Sequence, residues 1–82
     1  MLMPNQDIKE WLKTIVWKAA AESLREEPKD VIIRRSDIKA LTGARFKPTH
    51  EVWARVELAK TSYEVLVNVE EDGSYSGFRI VG

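Results

Sequence analysis

The 82-residue chain contains no cysteine, which rules out a disulfide, a thiolate nucleophile and zinc–thiolate coordination. Histidine is nearly absent too, with His50 the single copy. A metal site would therefore rest on carboxylates, and Glu70-Glu71-Asp72 has neither the ligand number nor the spacing of a calcium loop. That cluster reads as a solvated turn. The four glycines form no phosphate-cradling pattern. No serine sits in an elbow or triad context, and no spacing singles out a catalytic pair among the 13 acidic residues. No apolar run approaches the roughly 18 residues of a membrane span. Met1-Leu2-Met3-Pro4 is too short and uncharged for a signal peptide. These absences predict a non-catalytic protein without metal or cofactor and away from membranes, and the missing cysteine fits a cytoplasmic setting.

What is present is the composition of an ordinary globule, 44% hydrophobic and 32% charged, enough to form one core. Residues 1–82 read as a single domain. Net charge is zero but unevenly spread. Residues 29–47 hold six basic and two acidic residues, while residues 48–82 hold three basic and six acidic ones. Lys29, Arg34, Arg35, Lys39, Arg45 and Lys47 are thus a candidate basic patch.

The last third alternates almost without fault, with Val52, Ala54, Val56 and Leu58 on one parity and Glu51, Trp53, Arg55 and Glu57 on the other. The pattern resumes with Tyr63, Val65, Val67 and Val69, breaks at Asp72-Gly73, and restarts with Ser76, Phe78 and Ile80. Strand side chains point alternately to opposite faces, so this is an antiparallel meander with one apolar face. A turn centred on Lys60-Thr61 pairs Leu58 with Tyr63, Val56 with Val65 and Ala54 with Val67. An Asp72-Gly73 turn pairs Val67 with Phe78 and Val65 with Ile80.

At the other end, Ile8, Trp11, Leu12, Ile15, Val16 and Ala19 recur at helical spacing, predicting a helix from about Gln6 to Glu26, with Asn5 as its cap and Pro28 as its stop. Trp17 falls opposite Ile8, which requires a second covered side or an interface. Val31-Ile32-Ile33 is a short strand (31–35) or a connector, and Ser36–Gly43 reads as a short second helix. The predicted fold is α+β: a long N-terminal helix on a three-stranded antiparallel meander, the helix crossing Val52/Val56, Val65/Val67 and Phe78/Ile80.

This register leaves Trp53, Arg55, Leu66, Asn68, Tyr75, Gly77 and Arg79 on the outer sheet face. Trp53, Asn68 and Gly77 fall in one row, and Arg55, Leu66 and Arg79 in the next. Aromatics and arginines on an open sheet suit association with a protein, self-association included. Trp53, Arg55, Leu66, Tyr75, Arg79 and Trp17 are therefore the candidate partner-binding residues. The alternative is a nucleic-acid partner, bound through Arg34, Arg35, Lys39, Arg45 and Lys47 or through a winged helix whose recognition helix spans residues 49–60. Against the latter, the strict two-residue alternation favours strand, and Arg55 and Lys60 are offset by Glu51 and Glu57.

From Leu41-Thr42-Gly43 through Tyr63-Glu64-Val65, Asp72-Gly73 and Gly77-Phe78-Arg79, about half the chain resembles the gas vesicle accessory protein O family and PepSY-type modules. The long insertion between strands and the basic tail of the gas-vesicle family are absent. The resemblance implies a non-catalytic accessory or inhibitory module acting through protein contacts.

Overall fold

Small and branched residues at helical spacing build the helix that opens the fold, in a computed structural model that describes residues 5–40 and 48–82. This helix, α1, runs Asn5–Leu24. It is followed by β1 (Asp30–Ala40), β2 (Pro48–Glu57), β3 (Ser62–Glu70) and β4 (Tyr75–Ile80). The strands form one antiparallel sheet in the order β1-β2-β3-β4. The α+β class is as expected, with four strands among the described residues instead of three.

Leu12, Ile15, Val16, Ala19 and Ala20 of α1 are buried against Val31, Val52, Ala54, Val56, Leu58, Val65, Val67 and Val69. Alanines on both sides let the helix axis approach the sheet, and β-branched valines fill the pleated surface. Each fully buried valine or leucine contributes roughly 1.5–3 kcal/mol. The helix stripe fades toward its start, where Trp11 is half-buried and Ile8 is 37% exposed. Of the three sheet positions expected beneath α1, the β2 and β3 pairs are covered. On β4, Phe78 is only half-buried and Ile80 is 51% exposed.

Helix α1 ends earlier than Pro28 would require. Arg25 takes φ +56°, a left-handed conformation uncommon outside glycine, and closes the helix after Leu24. The chain is then anchored back on the sheet. The Lys29 N–H donates to the Glu57 carbonyl at 2.6 Å, and the Ala59 N–H donates to the Glu26 carboxylate at 3.2 Å.

The segment expected to hold a short strand and then a helix is instead one 11-residue strand. β1 pairs from Asp30↔Glu57 to Ala40↔Pro48, so Ser36–Ala40 is extended; residues 41–43 of the expected helix lie outside the described residues. The alternation is masked by a bulge between Ile33 and Arg35. Two residues there oppose one on β2, so the side-chain parity resets midway along the strand. β2 also occupies the positions of the winged-helix recognition helix, which removes that reading.

The β2–β3 register differs from expectation by two residues. A four-residue connection, Leu58 to Thr61, is closed by the Leu58 N–H donating to the Thr61 carbonyl at 2.8 Å. Val56 therefore pairs with Tyr63, Ala54 with Val65 and Val52 with Val67. A shift of two preserves every side chain's face, so the β2 and β3 residues of the core are the expected ones. At the β3–β4 hairpin, Val65↔Ile80 and Leu66↔Arg79 hold as expected. The turn is three residues long: Gly73 at φ +91° donates to the Glu70 carbonyl, and Glu70 donates to the Ser74 carbonyl. The ladder then slips between Leu66 and Asn68, where Gly77 adopts φ +65°, and the expected Val67–Phe78 pair falls at this bulge.

The Gly77 bulge moves Tyr75 off the outer face. Tyr75 pairs with Val69 and packs against the core on the helix side. Its hydroxyl donates to the Glu22 carboxylate at 2.7 Å. That hydrogen bond, then burial and the carboxylate charge, raise the phenol pKa above its ordinary 10.0. The folded state thus favours neutral Tyr75, so the bond's contribution is complete below pH 10.0 and is lost as pH climbs through the raised folded value. Tyr75→Phe is expected to cost roughly 0.5 kcal/mol at neutral pH. That difference from wild type should vanish in strongly alkaline solution, as read by urea unfolding. Gly77→Ala is expected to cost about 1–2 kcal/mol for the left-handed backbone. An added Cβ would also meet the Asn68 amide at 2.8 Å, whereas at Gly73 it would meet nothing within 4 Å. Urea midpoints should therefore rank Gly77→Ala below Gly73→Ala.

Candidate functional site

The face of the sheet opposite α1 is built from the polar parity of each strand. Because the β1 bulge places Arg34 and Arg35 together, both guanidinium groups reach this face. Arg34 extends past β2 to Glu64 on β3, at 3.5 Å. Arg35 lies over the Trp53 ring, 4.7 Å from its centroid, and bridges Asp37 at 2.8 Å.

The register aligns Arg35, Trp53, Leu66 and Arg79 in one row across all four strands. This replaces both expected rows: Trp53 neighbours Leu66 instead of Asn68 and Gly77, and Arg55 pairs with Glu64. Trp53 and Leu66 are half-buried at the centre of the row, with Ile32 41% exposed beside Arg55. Around them runs a border of ion pairs. Lys39 meets Glu51 at 2.9 Å, and Arg55 donates to the Ser62 hydroxyl at 3.3 Å. The buried Arg55 Nε lies 3.6 Å from the Glu57 carboxylate, beyond hydrogen-bonding distance.

The remaining candidates lie elsewhere. Trp17 sits on the flank of α1, where its indole N–H donates to Glu27 at 2.7 Å. The chain that follows the helix thus supplies its second covered side. An open groove of about 520 Å³ runs along this flank between Glu10, Trp17 and Glu27. His50 faces the helix and meets the Trp11 ring edge-on at 5.9 Å. Of the basic segment, Arg34, Arg35 and Lys39 lie on β1, while Arg45 and Lys47 lie outside the described residues. No group of three potential metal ligands, and no helix long and apolar enough to cross a membrane, occurs among the described residues.

The Arg35–Trp53 stack and the Arg34 bridge were not foreseen as parts of one face. Only the bulge brings them there, and its sequence signal is two arginines in succession where Val31 and Ile33 had set the alternation. A double-mutant cycle on Arg35→Ala and Trp53→Ala is expected to show a coupling of about 0.5–1 kcal/mol in urea unfolding. A coupling of zero would leave Arg35 a solvated side chain.

Comparison with protein-family models, with curated proteins and with solved structures finds no match to this chain.

Proposed function

We propose that this chain is a small, non-catalytic cytoplasmic binding domain that docks a protein partner on the outer face of its sheet. The observation that carries this reading is the row Arg35–Trp53–Leu66–Arg79, an apolar centre on a face without a helix among the described residues. Tryptophan and arginine dominate binding energy at protein interfaces, where a polar border excludes water from the centre. Trp53 with its border of charge has that arrangement. A non-catalytic accessory role, the one implied by the resemblance to gas vesicle accessory protein O and PepSY-type modules, agrees with it.

The charges on this face favour protein over nucleic acid. Arg34, Arg35, Lys39 and Arg55 each have a carboxylate within ion-pair distance. Phosphate binding draws its affinity from cations free to replace condensed counterions. Arg79 is the cation of this face that has no carboxylate partner among the described residues. Among the described residues, one free arginine beside so many carboxylates is poor chemistry for a phosphate backbone.

Affinity capture from the native host, run in parallel with wild type and Trp53→Ala, tests the reading. The expected outcome is a protein retained by wild type and released by Trp53→Ala, at unchanged far-ultraviolet circular dichroism. Recovery of nuclease-sensitive material that elutes steeply with salt would overturn it in favour of nucleic acid.

A further inference from the structure

β1 is a sheet edge: among the described residues it pairs with β2 alone, along eleven residues. Natural edges are usually short or covered, because a row of free backbone donors and acceptors templates another strand. This one is long and apolar in patches. Ile38 is 68% exposed on the helix side and Ile32 is 41% exposed on the outer side.

We propose that β1 is a self-pairing seam, at which the β1 strands of two copies join antiparallel about a twofold axis through Ser36 to give one eight-stranded sheet. The β1–β2 ladder fixes how a second β1 would align, because Arg34 and Arg35 together occupy one position on it. With the axis on Ser36, Ile33 faces Ile38 of the second copy, and Ile32 faces the aliphatic stem of its Lys39. Arg35, with Arg34 beside it, faces Asp37 of the second copy. Each pair joins residues of the same sheet face, and the arginine position meets the anionic Asp37. Asp37 already bridges Arg35 within its own chain at 2.8 Å, so the seam shares carboxylates between copies.

Neighbouring alignments lose this match. An axis between two residues sets helix-side against outer-side positions, which the pleat forbids. Moving the axis to Arg35 or to Asp37 brings like charges face to face, which is destabilising across a strand pair. The opposite edge is a poorer seam: β4 has six residues, and Arg79 is its only charged one. A β4–β4 pairing would offer that guanidinium no carboxylate. The bulge, ordinarily a device that turns strands away, here creates the charge match that admits a second copy.

The axis stands perpendicular to the sheet, so both helices lie on one side and the two outer faces form one surface. The seam lies along the β1 edge and leaves the Trp53 face open, touching it through Arg35. Its test exploits the absence of cysteine. Directly opposed antiparallel residues have Cα atoms about 4.5–5.5 Å apart, within the disulfide range of about 4.4–6.8 Å. Ser36→Cys is therefore expected to form an interchain disulfide dimer under mild oxidation, while Ser76→Cys, exposed on β4, stays largely monomeric. In sedimentation across the micromolar range, wild type should dimerise, and Ile38→Lys should weaken the dimer on the order of tenfold or more with its fold intact. A wild-type monomer throughout that range would overturn the seam, as would equal crosslinking of the two cysteine variants. A dimer dissolved by Trp53→Ala but indifferent to Ile38→Lys would place self-association on the outer face and overturn it equally.

Discussion

The burial of one valine-rich sheet face beneath a single helix is the constraint from which the remaining surfaces follow. A helix with its side chains is about 10 Å wide, whereas the axes of the outer two of four strands stand about 14 Å apart. One helix can therefore seal the middle of the sheet and only part of each edge, where Val31 of β1 is buried and Tyr75 of β4 is half-buried. Val52, Val56, Val65, Val67 and Val69 on β2 and β3 are fully buried, while Ile38 on β1 and Ile80 on β4 stay exposed. Part of each edge, at Ile38 and Ile80, stays open because the covering layer is one helix wide. Among the described residues the far face has no helix, because α1 (Asn5–Leu24) is the one helix there and lies on the other side.

Two bulges then decide which side chains decorate those open surfaces. At Ile33/Arg35 the extra residue sends consecutive arginines to the same side, giving Trp53 its stacked guanidinium and Glu64 its cross-strand partner. At Gly77 the left-handed backbone returns Tyr75 to the helix side, where it ties β4 to α1 through Glu22. The edges of the sheet therefore differ in kind. β4 is fastened to the helix by a side-chain hydrogen bond near its start and is short, whereas β1 is long and carries charges of both signs.

Legibility followed the same physics. The meander and its apolar parity were readable because period-two alternation survives any even shift of register, so a two-residue error between β2 and β3 left the core residues of those two strands on their expected face. The helix was readable from the spacing of Leu12, Ile15, Val16 and Ala19. β1 was not, because its bulge splits the alternation into Val31/Ile33 and Ser36/Ile38, each too short to display a period. Ser36 then imitated the cap at the start of a helix, though Ser36–Ala40 is extended. Tyr75 was misplaced for a related reason: nothing in Tyr75-Ser76-Gly77-Phe78 distinguishes a glycine that bulges from one that merely occupies a strand. Trp53, Leu66 and Arg79 were placed correctly on the outer face, but their row depended on the register that the loop Leu58–Thr61 sets.

The ion pairs of the outer face contribute little to holding the sheet together, since exposed pairs are worth about 0–1 kcal/mol each. Their geometry gives them another consequence. Lys39–Glu51 links β1 to β2, and Arg34–Glu64 reaches from β1 to β3, so the charges are ordered relative to the row containing Trp53. A molecule approaching that row meets both signs at fixed positions. Discrimination of this kind comes from the cost of juxtaposing like charges, whereas affinity comes from the desolvated centre. In the proposed docking mode Trp53 and Leu66 would supply the centre, and a partner would replace the Arg35 guanidinium that lies over the indole. The same guanidinium sits at the β1 edge, beside Asp37 and next to the axis of the proposed seam. A second copy at that edge would draw on the Arg35–Asp37 pair and so act on the stack over Trp53, coupling the edge to the face through one side chain.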